Sequence, residues 1–151
     1  MASSTDSVPR MVAGDGAGVA EAVRLLAVGG IVVMPTETVY GLAADAANPA
    51  AVHRIFAVKG RPAINPLISH VADLAMAERY GLFGDTARRM AARFWPGPLT
   101  LVVPQRADAR LAEAVTAGLP TVALRVPAHQ VMQAVIAGLG RAVAAPSANV
   151  S

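Results

Sequence analysis

The sequence predicts an α/β domain, α+β in detail: a twisted mixed β-sheet flanked by helices. Three observations carry that expectation. Apolar runs of strand length alternate with longer stretches whose apolar residues recur at helical spacing. Gly and Pro punctuate the transitions, as at Gly29-Gly30, Pro35, Gly60 and Pro96-Gly97-Pro98. The polar segments fall after strand ends, where open sheets gather ligands. At 151 residues, 54% hydrophobic and 4% aromatic, the chain reads as one domain with an aliphatic core.

Asp15 or Gly16 starts a first helix with Val19, Val23, Leu25 and Leu26 on its apolar side and Glu21 and Arg24 facing water. Gly29-Gly30 ends it. The run 31–34 is short and apolar, a buried strand stopped by Pro35. Residues 36–41 then form a loop leaving that strand. Asn48 caps a second helix with Pro49 at its first position, where a missing N–H costs nothing. This helix buries Val52, Ile55 and Phe56 and runs to about Val58. A loop over 59–66 leads to a strand over 67–71. Asp73 and Asp85 start two further helices, the second ending near Trp95. Residues 99–103 and 121–126 read as strands, separated by an Ala-rich helical stretch over 111–115. Residues 128–139 form a helix with Val131, Met132, Val135 and Ile136 inward and His129 near its start. The last strand is 142–145.

Composition removes several function classes. Net charge is only +3, from 13 Lys and Arg against 10 Asp and Glu, which permits nucleic-acid contact without announcing it. The absence of cysteine excludes disulfides, thiolate catalysis and cysteine zinc sites, and suits a cytoplasmic protein. No His-x-x-x-His or His/Asp cluster occurs, so no protein-built metal site is expected. Residues 1–16 read as a flexible N-terminal lead to a domain over 17–151. They lack the basic start and apolar run of a signal peptide, and no apolar run in the chain is long enough to cross a bilayer, so no membrane association is expected. The glycines at 14, 16 and 18 give only a weak hint of a dinucleotide fingerprint, with no convincing strand before them and the third Gly one position early, and Lys59-Gly60-Arg61 lacks the lead of a P-loop.

Lys59-Gly60-Arg61-Pro62, followed by Asn65-Pro66-Leu67, sets two cations on a punctuated turn. Arg offers a planar fork and Lys a compact point charge, a pair suited to an anionic ligand. Standing alone, such a turn is more often simply solvated. Its company changes that. Thr36, Glu37, Thr38 and Tyr40 gather hydroxyls and a carboxylate after a strand, with ordinary turn chemistry as the alternative. Glu37 has no second carboxylate at useful spacing, which argues against a glycosidase pair. His70, beside Ser69 in a strand, is either a core histidine or a pocket donor, and His53 reads as a surface residue. Arg125 lies within an apolar strand, and a cation buried alone is costly. It either pairs with a protein carboxylate or waits for one from a ligand, and the scarcity of nearby acids favours the ligand. Arg88, Arg89 and Arg93 form a basic stripe, a solvated face first and a nucleic-acid patch second.

Taken together, Pro35-Thr-Glu-Thr-Val-Tyr-Gly-Leu42, Lys59-Gly-Arg-Pro62 with Asn65-Pro66-Leu67, Phe94-Trp-Pro-Gly-Pro-Leu-Thr100 and Pro146-Ser-Ala-Asn-Val-Ser151 resemble the threonylcarbamoyl-AMP synthase family, also called YrdC-like. The resemblance runs from about Val19 to the last residue. It implies a YrdC-like fold and a nucleotidyltransferase that makes threonylcarbamoyl-AMP and pyrophosphate from L-threonine, bicarbonate or CO2, and ATP. A separate threonylcarbamoyl transferase complex would then modify tRNA. By the same resemblance, Lys59 and Arg61 are catalytic and hold ATP phosphates, and Asn65, Thr121 and Ser147 bind ATP. Thr38, His70, Arg125 and the Ala145 main chain would receive threonine. Mg2+ would be held through the phosphates. Family members continue with further strands past the last of these motifs, so the domain reads as incomplete at its C-terminus, its last strand left with an unpaired neighbour. The competing expectation is a double-stranded RNA or tRNA binding module without catalysis, using Arg54, Lys59, Arg61, Arg88, Arg89 and Arg93.

Overall fold

A computed structural model of the chain describes residues 13–60 and 65–148; residues 1–12, 61–64 and 149–151 lie outside the described residues, and most of the expected N-terminal lead lies there. Asp15 accepts from the Gly18 N–H at 3.0 Å and caps α1 (Gly16–Ala27), which ends before Gly29 at φ +89°. β1 (Val32–Pro35) turns into β2 (Tyr40–Asp45). Asn48 accepts from the Ala51 N–H at 3.2 Å, and with Pro49 it opens α2 (Pro49–Lys59) as expected. Gly60 closes α2 at φ +67°, a left-handed conformation that glycine adopts without strain.

The remaining elements follow the expected order. They are β3 (Ile68–His70), α3 (Leu74–Ala77), α4 (Asp85–Phe94), β4 (Leu101–Pro104), α5 (Glu113–Thr116), β5 (Thr121–Arg125), α6 (Gln130–Leu139) and β6 (Val143–Ala144). Asp73 caps α3 by accepting from Met76 N–H at 2.8 Å. His129 caps α6 through Nδ1, which accepts from Val131 N–H at 3.2 Å. His53 is exposed on α2.

The sheet is mixed, with strand order β1-β2-β6-β3-β5-β4. Among the described residues only β3 and β5 pair in parallel. Three expectations need correction. Tyr40 and Gly41 belong to a strand, not a loop. The sequence Tyr-Gly-Leu-Ala-Ala-Asp has little strand propensity and acquires its conformation by pairing with β1 on one side and β6 on the other. β1 is an edge strand and not a buried one, with Val33 57% exposed, and Pro35 is tolerated in it for that reason. Lastly, β6 has no unpaired neighbour: it lies between β2 and β3 and pairs with both.

Period-two alternation gives the sheet two faces. Leu42, Ala44, Val122 and Leu124 point to one, against Val52, Ile55 and Phe56 of α2 and Val115 of α5. Met34, Ala43, Val143 and Ala145 point to the other, against Leu26 of α1 and Met132, Val135 and Ile136 of α6. Leu26, Met132 and Ile136 are fully buried, each contributing roughly 1.5–3 kcal/mol relative to an exposed side chain. A Cβ at Gly138 would stand 2.8 Å from Val23, so this glycine lets α6 approach α1 closely.

The second face has a covered half and an open half. Register places His70 beside both Val143 and Arg125, and Ile68 and Val102 beside Ala123. Ile68, His70, Thr121, Ala123, Arg125 and Val102 therefore share the face that α1 and α6 cover over β1, β2 and β6. Over β3, β5 and β4 the cover is thin. Ile68, Thr121 and Ala123 are partly exposed and Val102 is 65% exposed. This open floor is what the fold offers to a ligand.

Candidate active site

Arg125 ends β5 and is held from three sides. Its Nε donates to the Gly97 carbonyl at 2.9 Å, and Nη1 donates to Thr38 Oγ1 at 3.4 Å. Nη2 stands 2.7 Å from Glu37 Oε1, an ion pair short in distance but not aligned as a hydrogen bond. The guanidinium side chain is 8% exposed and the carboxylate side chain 25%. Arg125 thus has a protein carboxylate partner, the less favoured of the two alternatives the sequence leaves open. The acid arrives from far along the chain because the tip of the β1–β2 hairpin reaches across β6 and β3 to β5. Thr36 shapes that tip. Its hydroxyl donates to Val39 O at 2.5 Å and accepts from the N–H groups of Thr38 at 3.2 Å and Val39 at 3.1 Å.

Burial alone would raise the Glu37 carboxyl. Contact with Arg125 and the main-chain N–H groups of Glu37 and Ala128 outweigh it and hold the carboxyl below its ordinary range. On the other side, the segment 94–100 is fixed by Trp95 Nε1 donating to Leu99 O at 2.8 Å and Gly97 N–H donating to Val126 O at 2.8 Å. That turn presents the Gly97 carbonyl to Arg125. Sequence reasoning quoted the Trp-Pro-Gly-Pro motif but assigned no residue in it a task, and it missed Glu37 as the partner of Arg125.

His70 pairs in register with Arg125 and is 2% exposed. Its Nδ1 is buried without a hydrogen-bond partner among the described residues. Burial first, and the nearby Arg125 charge second, lower its pKa to about 4, so the imidazole is neutral at physiological pH. A neutral, unsatisfied ring nitrogen beside a buried guanidinium is costly as pure packing and useful as a binding group.

The other expected residues lie toward the opposite end of the floor. Because β3 and β5 run parallel, the start of one lies beside the start of the other, with Asn65 exposed just ahead of β3 and Thr121 opening β5. Thr121 and Arg125 share a face and stand ~13 Å apart along the strand at the usual rise. β6 runs antiparallel to β3, so Ala145 and Ser147 lead back toward that start. Ala145 donates its N–H to Ile68 O at 3.2 Å, and its side chain is buried. Lys59, at the end of α2 and largely buried, donates from Nζ to Ser147 O at 2.7 Å. Ser147 also bridges Gly41, and Ala148 N–H donates to Tyr40 O at 2.9 Å, tying this end to the base of the hairpin. The structure therefore brings Thr38, His70 and Arg125 together, and separately Lys59 and Ser147, with Ala145 just past β6 between them. Arg61 lies outside the described residues.

The remaining charges are mostly occupied. Arg54 donates to Gly29 O at 3.2 Å, and Arg88 pairs with Glu78 at 2.5 Å. Arg93 stacks over the Phe94 ring at 5.6 Å, while Arg89 is exposed on α4. A groove of about 890 Å³ between Asp45, Arg79, Arg106 and Arg141 contains none of the expected site residues. There Asp45 accepts from Ala47 N–H at 2.9 Å and from Arg141 Nε at 2.9 Å, and Arg141 Nη2 stands 2.8 Å from it as an ion pair. Its deepest carboxylate is already satisfied, so the candidate site is placed on the open sheet face.

The chain matches the Sua5/YciO/YrdC family model, described as telomere recombination, over residues 24–151. It is 49% identical over 134 residues to the threonylcarbamoyl-AMP synthase of Bacillus subtilis (strain 168), covering 88% of this chain and 38% of that protein. The enzyme of the same name from Thiobacillus denitrificans is 40% identical over 130 residues, covering 82% of this chain and 65% of the relative. The crystal structure of Pyrococcus abyssi Sua5 complexed with L-threonine superposes with a TM-score of 0.85 at 43% identity, covering 94% of this chain and 41% of that one. The chain thus spans less than half the length of its B. subtilis and P. abyssi relatives. With the mixed six-stranded sheet and the family-model match in agreement, the chain belongs to the Sua5/YciO/YrdC family.

Proposed function

We propose that this chain carries the substrate-binding core of a threonylcarbamoyl-AMP synthase, which forms threonylcarbamoyl-AMP and pyrophosphate from L-threonine, bicarbonate or CO2, and ATP. The observation that supports it most is the meeting of Thr38, His70 and Arg125, drawn from a hairpin, β3 and β5, at one end of an open sheet face. The relatives' name and the L-threonine in the P. abyssi complex support the same reading.

Arg125 would take the threonine carboxylate as a charge-assisted pair, its aim set by Gly97. Thr38 and the neutral His70 would meet the remaining polar groups. Ala145 has committed its N–H to Ile68, so its carbonyl is the main-chain group it can offer to the amine. Toward the other end, Lys59 and Arg61 would hold the triphosphate and offset charge building at the α-phosphorus, while Asn65, Thr121 and Ser147 would bind the nucleotide. Mg2+ would sit on phosphate oxygens. The ~13 Å from Thr121 to Arg125 suits two substrates laid end to end. Threonine's neutral amine would add to CO2 and lose a proton, giving a carbamate. A carbamate oxygen would then attack the α-phosphorus as pyrophosphate leaves, with fixed geometry supplying much of the acceleration. The product would pass to a tRNA-modifying transferase complex. No helix among the described residues is long and apolar enough to cross a membrane, and a cytoplasmic site fits this role.

The test is calorimetric titration with L-threonine and, separately, duplex RNA, alongside threonine-dependent pyrophosphate release. Threonine binding, with release greatly reduced in Lys59→Ala and Arg61→Ala, is expected. RNA binding with no response to threonine would overturn the proposal in favour of a binding module.

A further inference from the structure

We propose that Glu37 is a specificity-determining residue: it trades Arg125 for the ammonium of an incoming amino acid as that ligand's carboxylate takes Arg125, so the site admits zwitterions and rejects singly charged analogues. The inference rests on the threonine-site reading above and adds a residue to it.

The geometry shows which partner moves. Arg125 is 8% exposed and anchored through Nε to the Gly97 carbonyl, in a turn that is itself bonded to Val126 and Leu99. Glu37 sits at an exposed hairpin tip, its side chain 25% exposed, and its contact with Nη2 is short but out of hydrogen-bond alignment. A guanidinium accepts a well-placed carboxylate in two aligned bonds. Here one donor is engaged with a main-chain carbonyl, one reaches only a hydroxyl at 3.4 Å, and the third meets its acid obliquely. A ligand carboxylate can improve on that arrangement, and Glu37 is then the group displaced.

Charge conservation supplies the selectivity. Arg125 is held away from water and must stay paired, because stranding a buried charge is far costlier than exchanging its partner. One internal pair plus one zwitterion becomes two pairs, with no charge left over. A carboxylate lacking an amine would take Arg125 but make no second pair, because Glu37, left to water and main-chain N–H donors, has no ammonium to receive. An amine lacking a carboxylate would take Glu37 and strand Arg125, the more deeply buried of the two. His70 beside them is neutral and cannot compensate either loss. An acid of depressed pKa stays ionised at physiological pH and so keeps its side of the exchange available.

The experiment compares L-threonine with 3-hydroxybutanoate, the same skeleton without the ammonium, by calorimetry on the wild-type chain, Glu37→Gln and Glu37→Asp. The wild type should prefer threonine strongly. Glu37→Gln should shrink that preference by at least about 10-fold, with threonine binding weaker and 3-hydroxybutanoate tighter. Glu37→Asp keeps the charge and should retain most of the preference. Equal gains for both ligands in Glu37→Gln would make Glu37 a mere plug and overturn the inference, as would an unchanged ratio. A wild-type chain that binds no threonine would instead overturn the underlying reading, a result visible before any variant is made.

Discussion

Two ion pairs in this molecule are built inside out relative to one another. In Asp45–Arg141 the acid is buried, its side chain 5% exposed, and the cation lies at the surface, 39% exposed. The carboxylate accepts two bonds, one from Ala47 N–H and one from Arg141 Nε, with Arg141 Nη2 in ion-pair contact at 2.8 Å. In Arg125–Glu37 the cation is the buried member and the acid stands on an exposed hairpin tip, meeting it out of alignment. The first pair is closed, since its buried acid already holds an aligned bond from the cation and one from the main chain. The second is replaceable on its acidic side. Burial of one member is common to both; what separates a structural pair from a receptive one is whether the contact between its members is aligned as a hydrogen bond.

The sharpest way to break this comparison is Arg125→Met. Threonine affinity should drop at least about 100-fold in calorimetry, in line with removing the buried half of a charge contact. Unfolding free energy should move by under ~1 kcal/mol, because the charge left behind, Glu37, stands at an exposed tip where water can solvate it. A large loss of stability would make this pair as structural as the other. The next effect is one of pH. His70 is buried neutral with a pKa of about 4 against an ordinary 6.5, so the unfolded chain binds the extra proton between those values. Stability is therefore whole above pH 6.5 and should fall by roughly 3 kcal/mol down to pH 4. Denaturant melts across that range check it, and His70→Gln should flatten the slope. In Arg125→Met, NMR titration should find the His70 pKa raised, since one of its two depressing influences is gone.

Arg141→Met tests the closed pair. It strands the Asp45 carboxylate and should cost about 2 kcal/mol in chemical denaturation, below the usual range for a broken buried pair because water reaches position 141. An effect no larger than that of Arg125→Met would erase the distinction. Smallest is the acid limb of Glu37. Its folded pKa is lowered, so its contribution is present above the ordinary 4.5 and lost as pH falls through the folded value. Comparing acid melts of the wild type and Glu37→Gln isolates that loss.

How much of this was legible depends on whether the signal was local. Asn48-Pro49, Asp15 and Asp73 announce helix starts by satisfying nearby N–H groups, and each cap stands where the sequence places it. β2 was illegible because Ala and Gly carry no strand signal of their own, and pairing on both flanks makes the strand. Arg125 could be recognised as a cation in need of a counter-charge. Its partner could not, because Glu37 reaches it only after the hairpin folds across two intervening strands. Gly97 was hidden for a related reason: a carbonyl oxygen has no letter in a sequence, and its role depends on where the turn around Pro96 and Pro98 aims it.

The central place of β6 also bears on how the molecule is made. A nascent chain that has not yet delivered residue 143 can form the β1–β2 hairpin and the β3–β5–β4 ribbon only as separate pieces, each presenting a raw edge to the other. Synthesis should thus pass through a stage of exposed backbone that ends when one short segment slides between them, zipping both seams at once.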